Sequence, residues 1–220
     1  MNVKFIGKGV IDSPDGERYA GEFFENERNG FGVFINQNPK DLKSFRSFYK
    51  HDMPSDLGEA EYLDGSVFRG YWHNGQRHGH GIMFYSDNTN YMGRWLCDKR
   101  SGYGVLRNNI EGWRYLSLWK EDRRHGRGIF ISSDDVFVQC IFSFGQIMGE
   151  GLVYHENPDT HEQRVYVGNV TTSSNDSSNQ IPVVEFGGKE KLVVTHDNVD
   201  GEKTCINIEG VFSGTIWDIY

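Results

Sequence analysis

Aromatic or apolar side chains alternate with small or polar ones in short runs along this chain. In one run Tyr91, Gly93 and Trp95 fall on the same side of a strand, because successive side chains of a strand point to opposite faces. Residue types that readily enter the left-handed backbone region stand seven positions after the first apolar residue of five runs, at Asn26, Gly75, Asp98, Asp122 and Gly145. The pattern predicts consecutive β-hairpins with turns at these positions, and it shows no helical periodicity of useful length.

The returning half of each run carries two glycines separated by one residue. These pairs are Gly7/Gly9, Gly30/Gly32, Gly79/Gly81, Gly102/Gly104, Gly126/Gly128 and Gly149/Gly151. Their first members are separated by 23, 49, 23, 24 and 23 residues, and the doubled gap predicts a degenerate unit in which Gly58-Glu59-Ala60 replaces the pair. Regular spacing of one hairpin unit predicts a repeat array in which each unit packs on its neighbours.

Upstream of five of the glycine pairs, the same three residue types recur in the same order. An apolar or aromatic residue comes first, a small residue follows two positions later, and a large aromatic residue follows two positions after that. The three rows are Tyr19, Phe68, Tyr91, Tyr115, Val138; Gly21, Gly70, Gly93, Ser117, Cys140; and Phe23, Trp72, Trp95, Trp119, Phe142. Folding a hairpin about its turn is expected to set Trp95 opposite Gly102 and Gly93 opposite Gly104, so that rings lie flat on glycines. The apolar residue after each second glycine is expected on the opposite face; these are Val33, Ile82, Val105, Ile129 and Leu152.

These observations predict an all-β fold, an elongated single-layer antiparallel sheet of consecutive hairpins that is solenoid-like and has no closed core. One array is expected to occupy residues 1–220, with about seven units plus partial units at both ends. The repeats are clear over 5–170 and degenerate over 171–220, where the polar stretch 171–180 is expected to form a loop inside the seventh unit.

The composition of the chain limits which kinds of protein it can be. The chain has 27 glycines and 14% aromatic residues but only 37% hydrophobic residues, which favours short strands and many turns over a large aliphatic core. Its formal charge of −8 argues against nucleic acid as a partner and makes affinity for bulk anionic lipid weak. Three widely spaced cysteines and no run of about eighteen apolar residues favour a cytoplasmic location.

No catalytic or metal-binding arrangement stands out, so no cofactor is expected. His73, His78 and His80 lie around one turn and could share a face, but no carboxylate or cysteine completes a ligand set there. Cys97 lies beside a turn without a residue that could act as its base. The glycine pairs lack the strand, loop and helix of a phosphate-binding motif. A non-catalytic protein is therefore expected.

Two segments resemble MORN repeats (membrane occupation and recognition nexus), YMGRWLCDKRSGYGVL at Tyr91–Leu106 and FRGYWHNGQRHGHGIMF at Phe68–Phe84. The order of units, an insertion at Asn36–Leu57 and the ending IEGVFSGTIW at Ile208–Trp217 resemble the MORN region of alsin-type guanine nucleotide exchange factors. That resemblance implies a protein-binding scaffold, self-association and regulation of Rab-family small GTPases on endosomes. The modules that flank the MORN region in such factors are absent from these residues.

Some positions depart from the repeat pattern: Ser117 and Cys140 replace the strand glycine, and Ile147-Met148 replaces the usual basic-His pair.

Three sets of residues are candidate interaction sites. The aromatic row is the candidate partner-binding face, with a purely structural role as the alternative; it comprises Tyr19, Phe23, Phe68, Trp72, Tyr91, Trp95, Tyr115, Trp119 and Phe142. The arginines after the turns are expected along one edge, either solvated or in contact with acidic partners or phosphoinositide headgroups; they are Arg28, Arg77, Arg100 and Arg124. That edge makes a peripheral membrane module the alternative function.

The third candidate is the apolar C-terminal strip. Terminal repeats usually carry a polar cap, yet this end carries Phe212, Ile216, Trp217 and Tyr220. The strip is expected to pair with a second copy of the chain and give a homodimer. The alternatives are that it folds back on its own array or contacts a further domain.

Overall fold

The computed structural model describes residues 3–38, 41–133, 135–156, 163–172, 182–185, 191–197 and 203–209. Among these residues, side chains are described as far as residue 154, apart from that at position 150. The described residues contain strands, turns and bends, with no helix among them. The strands are β1 Gly7–Asp12, β2 Glu17–Phe24, β3 Glu27–Asn36, β4 Leu42–Lys50, β5 Met53–Tyr62, β6 Val67–His73, β7 Gln76–Phe84, β8 Thr89–Leu96, β9 Lys99–Asn108, β10 Arg114–Lys120, β11 Arg123–Ile131, β12 Phe137–Ser143, β13 Gln146–Glu156, β14 Gln163–Thr172, β15 Pro182–Glu185, β16 Lys191–Asp197 and β17 Lys203–Glu209.

Sheet order follows chain order. Within the described residues β1 to β15 form one sheet in which each strand is hydrogen-bonded to its neighbours in sequence, and β16 pairs with β17 in a second sheet. The sheet is not closed, and the predicted all-β fold of consecutive antiparallel hairpins is confirmed. By residue contacts the chain divides into two compact units, Met1–Gly102 and Tyr103–Tyr220. A single array over 1–220 stays a prediction.

The hairpin turns lie where the sequence predicts them. Each is a two-residue turn in which both residues have positive φ, for example Asn74 (48°) and Gly75 (77°), or Glu121 (50°) and Asp122 (65°). Such turns match the right-handed twist of the flanking strands, and Asn, Asp and Gly tolerate this backbone conformation best. The sequence pattern identified only the second residue of each turn. The first residue varies in type and includes Cys97 (48°) and Phe144 (48°).

Register within the hairpins differs in part from the expectation. Small residues do face each other, as at Gly70 and Gly81, which is the arrangement expected for Gly93 and Gly104. The large aromatic, however, does not face the first glycine of its own hairpin. Trp72 pairs with Arg77, and the register shifts between Gly70 and Trp72.

The shift is a β-bulge at the first glycine, and it corrects the expected ring–glycine pairing. Gly79 has a φ of 74°, a conformation that lets one strand take an extra residue. Gly79 then faces Trp95 of the next hairpin. In the same way Gly126 faces Phe142 of the hairpin that follows it. The first glycine of each pair therefore joins neighbouring repeats.

The degenerate unit is a full hairpin, β4–β5, with a turn at His51 and Asp52. The stretch Asn36–Leu57 is thus largely a repeat of the array and not an insertion. The assignment of Gly58-Glu59-Ala60 to the glycine pair is wrong by two residues. Gly58 faces Gly70 and so occupies the second glycine position, while Asp56 faces Trp72 with a φ of 69° and occupies the first.

Candidate functional site

The aromatic row is buried. None of its nine members is more than 8% exposed, so the expectation of an open aromatic surface is wrong; the nine are Tyr19, Phe23, Phe68, Trp72, Tyr91, Trp95, Tyr115, Trp119 and Phe142. The β4–β5 hairpin adds Phe45 and Tyr49, which the sequence pattern missed and which are also buried. Binding of a partner through this row stays a prediction. Because the rings are buried, a partner would contact little of their surface.

Edge-to-face stacking explains the burial. The Phe68 ring centroid lies 5.3 Å from that of Trp72 in the same hairpin and 5.3 Å from that of Trp95 in the next. Phe45 and Trp72 continue the row at 4.7 Å. Aromatic pairs prefer these angled contacts, because the positive edge of one ring meets the negative face of another. The row is therefore a continuous core on one face of each unit.

Two of the arginines after the turns, Arg77 and Arg28, bond to the turn of the next hairpin, an arrangement called a clasp. The Arg77 backbone N–H and Nε donate to the Asp98 carboxylate at 2.9 and 3.0 Å, and Arg77 Nη2 donates to the Asp98 carbonyl at 2.9 Å. In return the Asp98 N–H donates to the Arg77 carbonyl at 3.1 Å. Asp98 is the second turn residue of the next hairpin, so these four bonds join two repeats.

Arg28 and Asp52 repeat this clasp. The Arg28 N–H and Nε donate to the Asp52 carboxylate at 2.8 and 3.2 Å, and Nη2 donates to the Asp52 carbonyl at 2.8 Å. The Asp52 N–H donates to the Arg28 carbonyl at 3.1 Å. The recurrence of an arginine two residues after one turn and an aspartate in the next turn was the available sequence signal.

Aromatic rings flank these arginine side chains. The Arg77 guanidinium carbon lies 4.5 Å from the Trp95 ring centroid, and the Arg100 carbon lies 5.6 Å from that of Tyr91. Arg124 is only 3% exposed. The expected edge of solvated arginines, Arg28, Arg77, Arg100 and Arg124, is therefore corrected: their side chains lie against the aromatic row, where cation–π contacts hold them.

The face opposite the aromatic row carries an apolar groove in the unit Met1–Gly102. It has a volume of 650 Å³ and is lined mainly by apolar side chains, among them Phe31, Phe48, Leu57, Ile82 and Met92. Four of these, all except Ile82, are between 47% and 57% exposed. The groove confirms that Ile82 points away from the aromatic row. Sequence reasoning placed Ile82 on this face but missed the groove as a site, because Phe31, Phe48 and Met92 lie outside the recurring positions of the repeat.

The groove contains one ion pair among its apolar side chains. Arg69 Nε donates to the Glu59 carboxylate at 2.6 Å, and both residues line the groove. Beside them the Phe31 and Phe48 rings meet edge to face, with centroids 5.6 Å apart. A half-exposed apolar surface with a few fixed charges is typical of a site that binds another molecule.

The remaining candidates add no reactive centre. The His73 and His78 rings lie 5.6 Å apart, and no group of three or more His, Cys, Asp or Glu side chains suited to a metal ion occurs among the described residues. Cys97 and Cys140 are free thiols. Burial raises the pKa of Cys140 to about 12, against the opposing effect of Arg124, so its thiolate is disfavoured at neutral pH.

Two further points concern location and association. Among the described residues, none forms a helix with the length and apolar character needed to cross a membrane. The self-association candidates Phe212, Ile216, Trp217 and Tyr220 lie outside the described residues. The stretch expected as a loop lies outside them from residue 173 onward.

The hairpins, the glycine pairs and the ring stacking agree with the resemblance of these units to MORN repeats. The family model for the MORN repeat matches residues 19–38, 68–90, 91–109 and 115–135, so the chain contains MORN repeats. It is similar to the mouse ALS2 C-terminal-like protein, with 30% identity over 79 residues, and to human alsin, with 31% identity over 85 residues. These segments cover 35% and 38% of this chain but only 8% and 5% of the two relatives. The matched region is thus a small part of either relative.

Proposed function

We propose that this chain is a non-catalytic scaffold that binds protein partners and associates with itself, as part of or related to an alsin-type exchange factor. The observation that carries the proposal is the apolar groove on a sheet of MORN repeats, because a half-exposed apolar surface of this kind favours a protein partner. The polar groups of the clasps are occupied in joining repeats. This favours a binding role over a reaction at those positions.

The resemblance to alsin-type factors supplies the finer part of the proposal. Its partners would be Rab-family small GTPases or the domains that act on them, and its place would be the cytoplasmic side of endosomes. The similarity to alsin and to the ALS2 C-terminal-like protein supports this context. The chain would then position an exchange domain without catalysing exchange itself.

Self-association is tested by the mass of the chain in solution. We expect residues 1–220 to form a dimer at micromolar concentration in sedimentation equilibrium, and deletion of Ile208–Tyr220 to give a monomer with unchanged β-type circular dichroism. The physical reason is the apolar strip that this deletion removes. A monomer for the intact chain at high concentration would contradict the proposal, and so would a dimer that persists after the deletion.

The alternative function, lipid binding along the arginines, leads to a separate expectation. Arg28 and Arg77 are bonded to Asp52 and Asp98, so these two cations are already paired and poorly placed to meet headgroups. We expect less than about a tenth of the chain to pellet with phosphoinositide vesicles in 150 mM salt, a condition that screens exposed charges strongly. Vesicles without phosphoinositide are the control. Pelleting that depends on phosphoinositide and is lost in Arg100→Gln would restore the membrane hypothesis.

A further inference from the structure

One of the repeat clasps is incomplete. Its backbone half is intact, since the Gly145 N–H donates to the Arg124 carbonyl at 2.8 Å, as Asp98 does to Arg77. Gly145 stands at the turn position that Asp52 and Asp98 occupy in the complete clasps, and it has no carboxylate to offer. The acceptor that receives an Nε–H and a backbone N–H in the complete clasps is therefore missing here.

Open space lies where that carboxylate would be. A Cβ added to Gly145 would have no atom within 4 Å. The neighbouring turn residue, Phe144, is 49% exposed, so the site is at the surface of the turn. A group of the size of a carboxylate can therefore reach this place from solvent.

Arg124 has buried nitrogen atoms without a carboxylate partner. In the described part of the chain its Nη1 and Nη2 are buried and no carboxylate pairs with them; the Tyr115 hydroxyl is the polar group beside the guanidinium. Its guanidinium carbon lies 4.2 Å from the ring centroid of Tyr115, the first aromatic of its own hairpin. The corresponding distances for Arg28 and Arg77 are 5.5 and 5.8 Å, to Tyr19 and Phe68. The Arg124 guanidinium thus lies nearer to the first ring of its own hairpin, while its distance of 4.9 Å to Phe142 resembles the 4.5 Å from Arg77 to Trp95. A buried cation without a carboxylate partner is costly.

We propose that Arg124 and the Gly145 turn form a binding site for the carboxylate of an acidic side chain supplied by a partner protein. The partner's carboxylate occupies the place of the missing aspartate, accepts from Arg124, and draws the guanidinium outward to the position that Arg77 holds. The complete clasps fix the chemistry, because in both of them one carboxylate oxygen accepts from the arginine N–H and Nε together.

This inference rests on the proposed function for the source of the carboxylate, but the site itself is tested without any partner. The probe is acetate, with chloride at the same ionic strength as the reference. We expect 100 mM sodium acetate to raise the melting temperature of the wild-type chain by about 3 °C over chloride, since a ligand that binds the folded state stabilises it. The Nε–H resonance of Arg124 in a ¹H–¹⁵N spectrum should shift in the same titration.

Gly145→Asp is the decisive variant, and Gly145→Asn is its uncharged control. Asp and Asn both occur with positive φ at this turn position, as at Asp98 and Asn26, so the two variants differ chiefly in charge. Gly145→Asp should melt higher than Gly145→Asn in chloride and should lose the acetate response.

An acetate response that is equal in wild type and Gly145→Asp would overturn the proposal. Stabilisation of wild type by sulfate but not by acetate would also overturn it, because the ligand would then be a tetrahedral anion. A monomeric chain in sedimentation would remove the proposed self-association without altering the acetate result, so the two failures are distinguishable.

Discussion

Replacing Gly70 by alanine is expected to lower the free energy of unfolding by about 3 kcal/mol, at the upper end of the usual cost of overpacking. A Cβ at this position would lie 2.5 Å from the Gly81 Cα and 2.7 Å from Cζ of Phe68. The Gly81 Cα belongs to the paired strand and cannot move without breaking the ladder, and the Phe68 ring is fully buried between Trp72 and Trp95. Relief would require displacement of the backbone.

The measurement is thermal unfolding followed by circular dichroism, in which the Gly70→Ala variant should melt about 9 °C lower than wild type. Gly9→Ala is the matched control. The nearest atoms to a Cβ at Gly9 would be ring atoms of Phe5 and Phe23 at 3.2 Å, and those rings can shift slightly. Equal losses for the two variants would show that the close approach of the paired glycines does not limit this site.

Replacing Arg77 by methionine is expected to cost about 2 kcal/mol of stability. The change removes two side-chain bonds to Asp98 and the contact with the Trp95 ring, while the methionine stem keeps part of the packing. The Arg77 side chain is only 19% exposed, so the pair is partly shielded from water, although Asp98 is 42% exposed. That exposure keeps the expected loss below the cost of breaking a fully buried pair.

Urea unfolding in low and high salt tests this expectation. The loss in Arg77→Met should persist in 1 M sodium chloride, because partly buried pairs are screened less than exposed ones. Lys43→Met is the control, since Lys43 and Glu61 form a pair at 2.6 Å whose side chains are 53% and 38% exposed. That variant should unfold like wild type. Indistinguishable midpoints for Arg77→Met and Lys43→Met would mean that the clasp adds nothing to the coupling of repeats.

The sequence alone determined the strand pattern, the turns and the repeat. Alternation with a period of two and a turn residue at a fixed offset are local properties, so Asp98 and Asp122 could be assigned to turns without knowledge of any partner strand. Glycine at a fixed position opposite glycine also followed from counting residues around the turn, as Gly70 and Gly81 confirm. A degenerate unit was recognised by its spacing, although its glycine position was assigned two residues too late.

Only the tertiary structure decided what each face does. Alternation shows that the aromatic row shares one side of the strands, but whether Phe68 is open or buried depends on Trp72 and on Trp95 of the next repeat. The bulge at Gly79 likewise depends on pairing with both neighbouring strands, and it turned an expected contact within a hairpin into one between hairpins. Such contacts join residues that are distant in sequence, and a local pattern carries no information on their distance or angle.

The same limit explains the arginines and the groove. A row of arginines after turns predicted a charged edge. The recurrence of an aspartate in the next turn is visible in the sequence, but only the structure shows that Asp98 lies within 3.0 Å of Arg77. Phe31 and Met92 belong to different hairpins, and only the stacking of hairpins places them in one groove. The chain sequence therefore determined the repeating unit, and the packing of units decided which side chains are buried, which are bonded, and which remain open to a partner.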